Sequence, residues 1–231
     1  MVINGLQKLT LLDFPGRTAC TVFTGGCDFR CPFCQNGSLV LRPESQPSMP
    51  EEEFFAYLEK RRGLLDGVCV TGGEPTLRPD LLDFLKKIRD KGYAVKLDTN
   101  GSRPDVLRAA IEGGLAGFAA MDIKTSLPRY PEVCGVPGYD TAPVRESAAL
   151  LMEGRIPFEF RTTVVRELHR AEDFESIGEW LAGAPRYFLQ QFRDSGDLVV
   201  PGFTAYSLSE LTGFLGIVRR RIPSAELRGV G

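Results

Sequence analysis

Three cysteines lie close together in one short segment of the chain, Cys27, Cys31 and Cys34, with the spacing C-x3-C-x2-C. Cysteine thiolates are the usual ligands of iron–sulfur clusters, and gaps of two or three residues let successive sulfurs of a loop face one centre. Three thiolates leave one iron of a four-iron cluster without a protein ligand, and catalytic metal sites keep such an open position. The spacing therefore predicts a cluster that takes part in chemistry.

The other three cysteines and the single histidine offer no obvious fourth ligand. Cys20 and Cys69 fall in predicted strands and Cys134 in a loop rich in proline and glycine, so each is interpreted as a small buried or incidental thiol. His169 lies in a polar connection and is expected to be a solvent-exposed loop residue. One histidine is too few for a multi-histidine zinc site. A structural zinc completed by Cys20 or His169 remains a minor alternative.

Composition and charge limit the class of protein further. The chain has 231 residues with 28 Lys+Arg, 30 Asp+Glu, a net charge of −2 and 43% hydrophobic residues. These values are typical of a globular domain, argue against nucleic-acid binding, and include no apolar run near the roughly 18 residues of a membrane span. The start of the chain has no features of a signal peptide, so a cytoplasmic protein is expected. We expect one domain over residues 1–231, with residues 1–17 as an N-terminal lead-in segment.

Short apolar strands alternate with amphipathic helices along the chain, a pattern typical of β-α units around a parallel sheet. Six strands are predicted, at residues 18–23, 67–71, 93–98, 117–122, 158–165 and 186–192. Parallel sheets bind ligands at the carboxyl ends of their strands, and five of these strands end in glycine or polar residues. We therefore expect an α/β fold, a partial (β/α)6 barrel that is an open, parallel-strand, TIM-like barrel, with its site at this rim.

The cysteine segment, with Phe33 just before the third cysteine, resembles the signature of the radical S-adenosylmethionine superfamily. Thr71-Gly72-Gly73-Glu74-Pro75 is similar to the GGE motif of that superfamily. Asp98-Thr99-Asn100-Gly101 and Asp122-Ile123-Lys124 resemble motifs of its glycyl-radical-enzyme activases. Leu12-Asp13-Phe14-Pro15-Gly16-Arg17 is similar to the D-G-P-G-x-R segment of pyruvate formate-lyase activases, with phenylalanine in place of the first glycine.

The resemblance covers nearly the whole chain and extends to one group within the activase branch. Gly5-Leu6-Gln7-Lys8-Leu9-Thr10 and Gln190-Gln191-Phe192 most resemble the activating proteins of anaerobic ribonucleoside-triphosphate reductases. The resemblance implies a [4Fe-4S] cluster on Cys27, Cys31 and Cys34, whose open iron binds S-adenosylmethionine. Transfer of one electron to the sulfonium would then yield a 5′-deoxyadenosyl radical that abstracts a hydrogen atom.

The same resemblance implies which residues bind the cofactors. Gly72 and Gly73 would let the backbone approach the methionine moiety, and Glu74 would bind its ammonium group. Lys124 and Arg161 would neutralise its carboxylate, with ordinary ion pairs to the neighbouring aspartates as an equal alternative. The implied cofactor-binding set is Phe33, Gly72, Gly73, Glu74, Asp98, Thr99, Asp122, Lys124, Arg161 and Gln191.

Three further expectations concern particular members of this set. Phe33 would lie near the adenine, with a place in the hydrophobic core as the rival interpretation, and Gln191 would contact the ribose. Asp98, Thr99, Asp122 and the carbonyl of Ala120 would form a monovalent cation site, because oxygen ligands suit a hard cation.

The function implied by the resemblance is installation of a glycyl radical on a large partner enzyme. The expected partner is an anaerobic ribonucleoside-triphosphate reductase, and the expected electron donor is a flavodoxin or ferredoxin. A six-unit barrel closes less tightly than an eight-stranded one, so its open side would admit a loop of the partner. Alternatives are activation of another glycyl radical enzyme of the pyruvate formate-lyase type, radical modification of another substrate, and a non-enzymatic iron–sulfur or zinc protein.

Overall fold

Eight strands form one sheet and follow one another across it in chain order in the computed structural model, which describes residues 1–230. The strands are β1 (Gly5–Thr10), β2 (Ala19–Thr24), β3 (Gly67–Gly72), β4 (Ala94–Thr99), β5 (Phe118–Asp122), β6 (Phe158–Val164), β7 (Tyr187–Gln191) and β8 (Glu226–Arg228). Strands β2 to β8 pair in parallel, whereas β1 is antiparallel to β2. The open α/β barrel is confirmed, and edge strands β1 and β8 extend the six predicted strands by one on each side.

Helices connect the parallel strands and cover one face of the sheet. They are α1 (Gly37–Leu41), α2 (Glu51–Lys60), α3 (Leu81–Asp90), α4 (Pro104–Glu112), α5 (Tyr130–Val133), α6 (Ala142–Met152), α7 (Ala171–Trp180) and α8 (Leu208–Arg219). Helix α8 begins at a capping box, in which Ser207 and Glu210 each accept the backbone N–H of the other. Within residues 1–230, no helix has both the length and the hydrophobicity that crossing a bilayer requires.

The two faces of the sheet differ in chemistry because side chains alternate along each strand. The outer face packs apolar residues against the helices, including Val68, Val70 and Leu97, each fully buried. The inner face carries polar and charged residues that surround a central cavity, such as Asp98 and Arg161. The fold therefore gathers polar groups on the inside of the barrel.

Phe14 closes the amino-terminal end of the barrel. Its buried ring packs 6.0 Å from the ring of Phe118 and next to Ala19, the first residues of β5 and β2. A Cβ added to Gly67 would come within 2.9 Å of the same ring, so the small residue leaves room for it. The phenylalanine that departs from the D-G-P-G-x-R pattern thus fills space under the inner face.

Candidate active site

A cavity of about 310 Å³ opens at the carboxyl ends of the parallel strands. All predicted site residues except Gln191 line it: Cys27, Cys31, Phe33, Cys34, Gly72, Gly73, Glu74, Asp98, Thr99, Asp122, Lys124 and Arg161. The side chain of Gln191 instead donates to the backbone carbonyl of Tyr206 at 2.9 Å, and its neighbour Gln190 lies on the cavity wall. The structure therefore brings together the cysteine loop and the ends of β3, β4, β5 and β6.

The cysteine loop (residues 27–34) follows β2 and places its three thiols on one wall of the cavity. Cys31 is buried and the other two are half-buried, and the N–H of Cys34 donates to the carbonyl of Cys31 at 3.0 Å. Burial raises the pKa of the Cys31 thiol to about 12 and also that of Cys34, while the ammonium of Lys124 acts in the opposite direction on both. These thiols are protonated at neutral pH and must release protons to bind iron.

The donor set fits an iron–sulfur cluster better than a single metal ion. In residues 1–230, no group of three or more His, Cys, Asp or Glu side chains is arranged to hold one ion. Each thiolate of an iron–sulfur cluster binds a different iron, so its ligands need not converge on one point. Cys27 Sγ also faces two hydrogen-bond donors, the N–H of Phe29 at 3.4 Å and Asn100 Nδ2 at 3.7 Å. Such bonds to sulfur stabilise and tune clusters.

The expectation that His169 is exposed to solvent is wrong, because the residue is 0% exposed. Its ring stacks on Phe174 at 5.9 Å and lies edge-on to Phe33 at 6.3 Å. Nδ1 accepts the N–H of Val165 at 3.1 Å, and Nε2 lies 2.8 Å from the carbonyl oxygen of Lys124, to which it donates. Burial lowers the pKa of the imidazole, which is therefore neutral. The polar residues that neighbour His169 in the sequence did not indicate that its side chain points inward.

The arrangement offers no fourth ligand for a structural zinc ion. Both ring nitrogens of His169 bind the backbone, so neither is free for a metal. Cys20, Cys69 and Cys134 are buried free thiols outside the cavity wall. Cys20 is a residue of β2, and its thiol is fully buried outside the cavity that the three loop thiols share.

Gly72 and Gly73 are required by the close approach of two backbone segments. Gly72 has φ +125°, and a Cβ added to it would lie 2.3 Å from the backbone of Thr24. A Cβ on Gly73 would lie 1.9 Å from the carbonyl oxygen of Gly26. The N–H groups of Gly73 and Glu74 donate to the carbonyls of Thr24 and Gly26, both at 2.8 Å. The glycine pair thus anchors the start of the cysteine loop, a role that the GGE resemblance did not indicate.

The Glu74 carboxylate is fully buried and ties the GGE segment to the end of β4. Its Oε1 accepts from the N–H of Thr76 at 3.0 Å and from Thr99 Oγ1 at 2.9 Å. Its Oε2 accepts the N–H of Asn100 at 2.6 Å. Burial raises the pKa of this carboxyl to about 7, although these hydrogen bonds favour the ionised form. Oε2, with one donor, keeps a lone pair for a cationic ligand.

Five charged side chains form a network on the inner face, which we call the charge network: Lys96, Asp98, Asp122, Lys124 and Arg161. Arg161 donates to Asp98 Oδ2 at 3.1 Å and to Asp122 Oδ1 at 2.9 Å. Lys124 donates to Asp122 Oδ2 at 3.2 Å, and Lys96 donates to Asp98 Oδ1. Burial alone would raise the pKa of Asp122, but Arg161 and Lys124 lower it to about 2. The ion pairs that were the alternative for Lys124 and Arg161 are thus present, and both residues also line the cavity.

These ion pairs bear directly on the expected monovalent cation site. Both carboxylate oxygens of Asp98 and of Asp122 already accept from protein cations. The Thr99 hydroxyl donates to Glu74 and accepts the N–H of Gly101 at 3.0 Å. The positive charge that a monovalent ion would bring to these carboxylates is therefore already supplied by Lys96, Lys124 and Arg161.

Comparison with known proteins identifies the family. The model of the family "Radical SAM superfamily" matches residues 21–181. The chain is 30% identical over 195 residues to "Putative glycyl-radical enzyme activating enzyme MJ1227" of Methanocaldococcus jannaschii, and the match covers 83% of this chain and 80% of that protein. Among solved structures, a domain of pyruvate-formate lyase-activating enzyme from Bacteroides vulgatus has a TM-score of 0.58 at 19% identity, covering 71% of this chain and 99% of that one. Streptococcus suis SuiB bound to precursor peptide SuiA has a TM-score of 0.71 at 15% identity, covering 90% of this chain and 48% of that one.

The similarity to these two solved structures is one of fold, the open barrel of parallel strands. The chain belongs to the radical SAM superfamily and is a radical SAM enzyme similar to glycyl-radical-enzyme activating enzymes. Members of the superfamily use a [4Fe-4S] cluster and S-adenosylmethionine, which are therefore the cofactors of this protein.

Proposed function

We propose that this enzyme is an activase, which uses a 5′-deoxyadenosyl radical to install a glycyl radical on a partner protein. The observation that carries the proposal is the convergence of three thiols and four members of the charge network, Asp98, Asp122, Lys124 and Arg161, on one cavity at the carboxyl end of the barrel. Support for the activase branch comes from the M. jannaschii relative, which is 30% identical over most of both chains.

In this proposal Cys27, Cys31 and Cys34 hold the cluster. A [4Fe-4S] cluster bound there would supply the electron that cleaves S-adenosylmethionine. The neighbouring groups set its environment: Asn100 and the backbone N–H of Phe29 stabilise the sulfur of Cys27.

The charge network and Glu74 orient the methionine moiety of S-adenosylmethionine in this proposal. Lys124 and Arg161 line the cavity, where they can donate hydrogen bonds to the carboxylate. Glu74 Oε2 has the free lone pair that the ammonium group requires. Because hydrogen bonds within the protein already hold Lys124, Arg161 and Glu74, little side-chain entropy is lost when the ligand binds.

Aromatic and polar residues at the rim would bind the nucleoside part. Phe33 is both buried and part of the cavity wall, so its ring belongs to the core and can also contact the adenine. For the ribose we favour Gln190 over Gln191, because Gln190 lines the cavity and the amide of Gln191 is bonded to Tyr206. Gly72 and Gly73 support the cysteine loop from behind.

We propose an anaerobic ribonucleoside-triphosphate reductase as the partner, with a flavodoxin or ferredoxin as electron donor. The support is the resemblance of residues 5–10 and 190–192 to the activating proteins of these reductases. The sheet is open, with β1 and β8 at its edges, and in this proposal a loop of the partner enters beside the cavity.

The test is anaerobic incubation of the reconstituted, reduced enzyme with S-adenosylmethionine and a purified candidate partner. We expect a glycyl electron-spin signal on the reductase together with 5′-deoxyadenosine, and no such signal on a pyruvate formate-lyase-type enzyme. 5′-Deoxyadenosine without a radical on any partner would refute the activase proposal. A signal only on the pyruvate formate-lyase type would refute the choice of partner. Cys31→Ala should abolish both products, and Cys134→Ala, a buried thiol outside the cavity, is the matched control.

A further inference from the structure

The charge network contains a cation that the family motifs did not indicate, the ammonium of Lys96. Lys96 and Asp98 are alternate residues of β4, so both side chains lie on the inner face. Lys96 is 1% exposed and donates to Asp98 Oδ1, while its Nζ lies 3.8 Å from Cys69 Sγ. A buried ammonium is costly unless it is paired, so this ion pair fixes both side chains.

The Lys96 ammonium determines the net charge of the network. Three cations, Lys96, Lys124 and Arg161, face two carboxylates, Asp98 and Asp122, which leaves one positive charge in excess. Binding of a ligand carboxylate would bring the network to neutrality. Without Lys96 the network would be neutral when empty and negative when the carboxylate binds, and a soluble cation would then be needed.

We propose that the ammonium of Lys96 is a built-in counter-ion, which takes the place of a monovalent metal ion in the S-adenosylmethionine site. The ammonium occupies Asp98 Oδ1, one of the oxygens expected to bind the cation. Arg161 and Lys124 occupy the remaining carboxylate oxygens of Asp98 and Asp122. Lys96 is a positioning residue: it acts through Asp98, which in turn orients Arg161 toward the cavity.

The inference rests on the proposed place of the charge network in S-adenosylmethionine binding and is independent of the partner protein. Its first consequence can be measured on the wild-type enzyme, without a variant. Affinity for S-adenosylmethionine should be the same whether potassium, sodium or tetramethylammonium, which is too large for the site, is the only monovalent cation in the buffer. Affinity can be measured by equilibrium dialysis against the reconstituted enzyme and by the change in the cluster's spin signal.

The variant Lys96→Met removes the charge and keeps most of the side-chain length. In tetramethylammonium buffer we expect affinity to fall by roughly tenfold or more, because a buried carboxylate has lost its partner. Potassium or sodium should restore most of that loss, a rescue that a merely structural defect would not show. Lys86→Met is the control, since Lys86 is an exposed lysine paired with Asp90 on α3, and it should behave as wild type in all buffers.

Two results would overturn the proposal. The first is wild-type affinity that depends on potassium or sodium, a result that stands even if the variant does not fold. The second is a folded Lys96→Met enzyme that binds S-adenosylmethionine as wild type does without metal cations, or that no cation rescues. A wild-type enzyme that binds S-adenosylmethionine without metal cations but places no radical on a partner would refute the activase proposal alone.

Discussion

Replacing Gly73 by alanine should separate the barrel from the start of the cysteine loop. The added Cβ would lie 1.9 Å from the carbonyl oxygen of Gly26, and real Cβ contacts are not shorter than 3.0 Å, so the backbones must move apart by about 1.1 Å. That movement strains two backbone hydrogen bonds of 2.8 Å, from Gly73 to Thr24 and from Glu74 to Gly26. At about 1 kcal/mol for each hydrogen bond and about 1–3 kcal/mol for overpacking, the free energy of unfolding should fall by about 3–5 kcal/mol.

For a domain of this size that loss lowers the melting temperature by roughly 6–20 °C. Thermal unfolding of the iron-free protein, followed by circular dichroism, measures it, and iron and sulfide analysis after anaerobic reconstitution should show reduced cluster content. Gly213→Ala in α8 is the control, since a Cβ there meets nothing within 4 Å and alanine favours a helix by up to about 1 kcal/mol. A Gly73→Ala protein that unfolds within about 1 kcal/mol of wild type and takes up a full cluster would refute the reasoning.

Three further predictions concern single side chains. Cys27→Ala should prevent retention of a four-iron cluster in iron analysis, whereas Cys20→Ala should not, and loss of the cluster in both would contradict the assignment. Glu74 has a folded pKa of about 7, above its ordinary value of 4.5, so its contribution to stability is complete below about pH 4.5 and is lost as the pH rises through 7. The free energy of unfolding from this group should fall by about 3 kcal/mol over that range, and the fall should be absent in Glu74→Gln. His169→Ala removes a buried ring and two hydrogen bonds, so chemical denaturation should show that the free energy of unfolding falls by about 2–5 kcal/mol. A fall of less than about 1 kcal/mol would be inconsistent with a buried, hydrogen-bonded ring.

The location of the site could be predicted from the sequence because a parallel sheet brings the carboxyl ends of its strands to one edge. Asp98 and Asp122 close two neighbouring strands, and the structure places both on the wall of one cavity with the cysteine loop. The strands themselves were recognisable as short apolar runs between polar and turn-forming segments. Their ends could be assigned without knowledge of the tertiary structure.

The direction of individual side chains could not be predicted in the same way, because a shift of one residue along a strand reverses the face. Gln190 and Gln191 are chemically identical neighbours at the end of β7, and only the register against β6 places Gln190 on the cavity wall. His169 follows the last residue of β6 by five positions among charged neighbours. Its burial depends on Phe174 of α7 and on Phe33, which is distant in sequence. Long-range packing decides such cases, and local composition does not reveal it.

On β4 and β6, a second charged residue lies two positions before the rim residue, on the same face of the strand. Asp98 leads to Lys96, and Arg161 leads to Glu159, which is 1% exposed. A buried carboxylate needs a partner, and Glu159 receives two hydrogen bonds from Arg228 on β8, at 2.8 and 3.0 Å. These two charges are therefore balanced differently, Lys96 by the rim and Glu159 by the edge of the sheet. The three-residue strand β8, which extends the sheet beyond the predicted units, thus supplies a charge that the interior of the barrel requires.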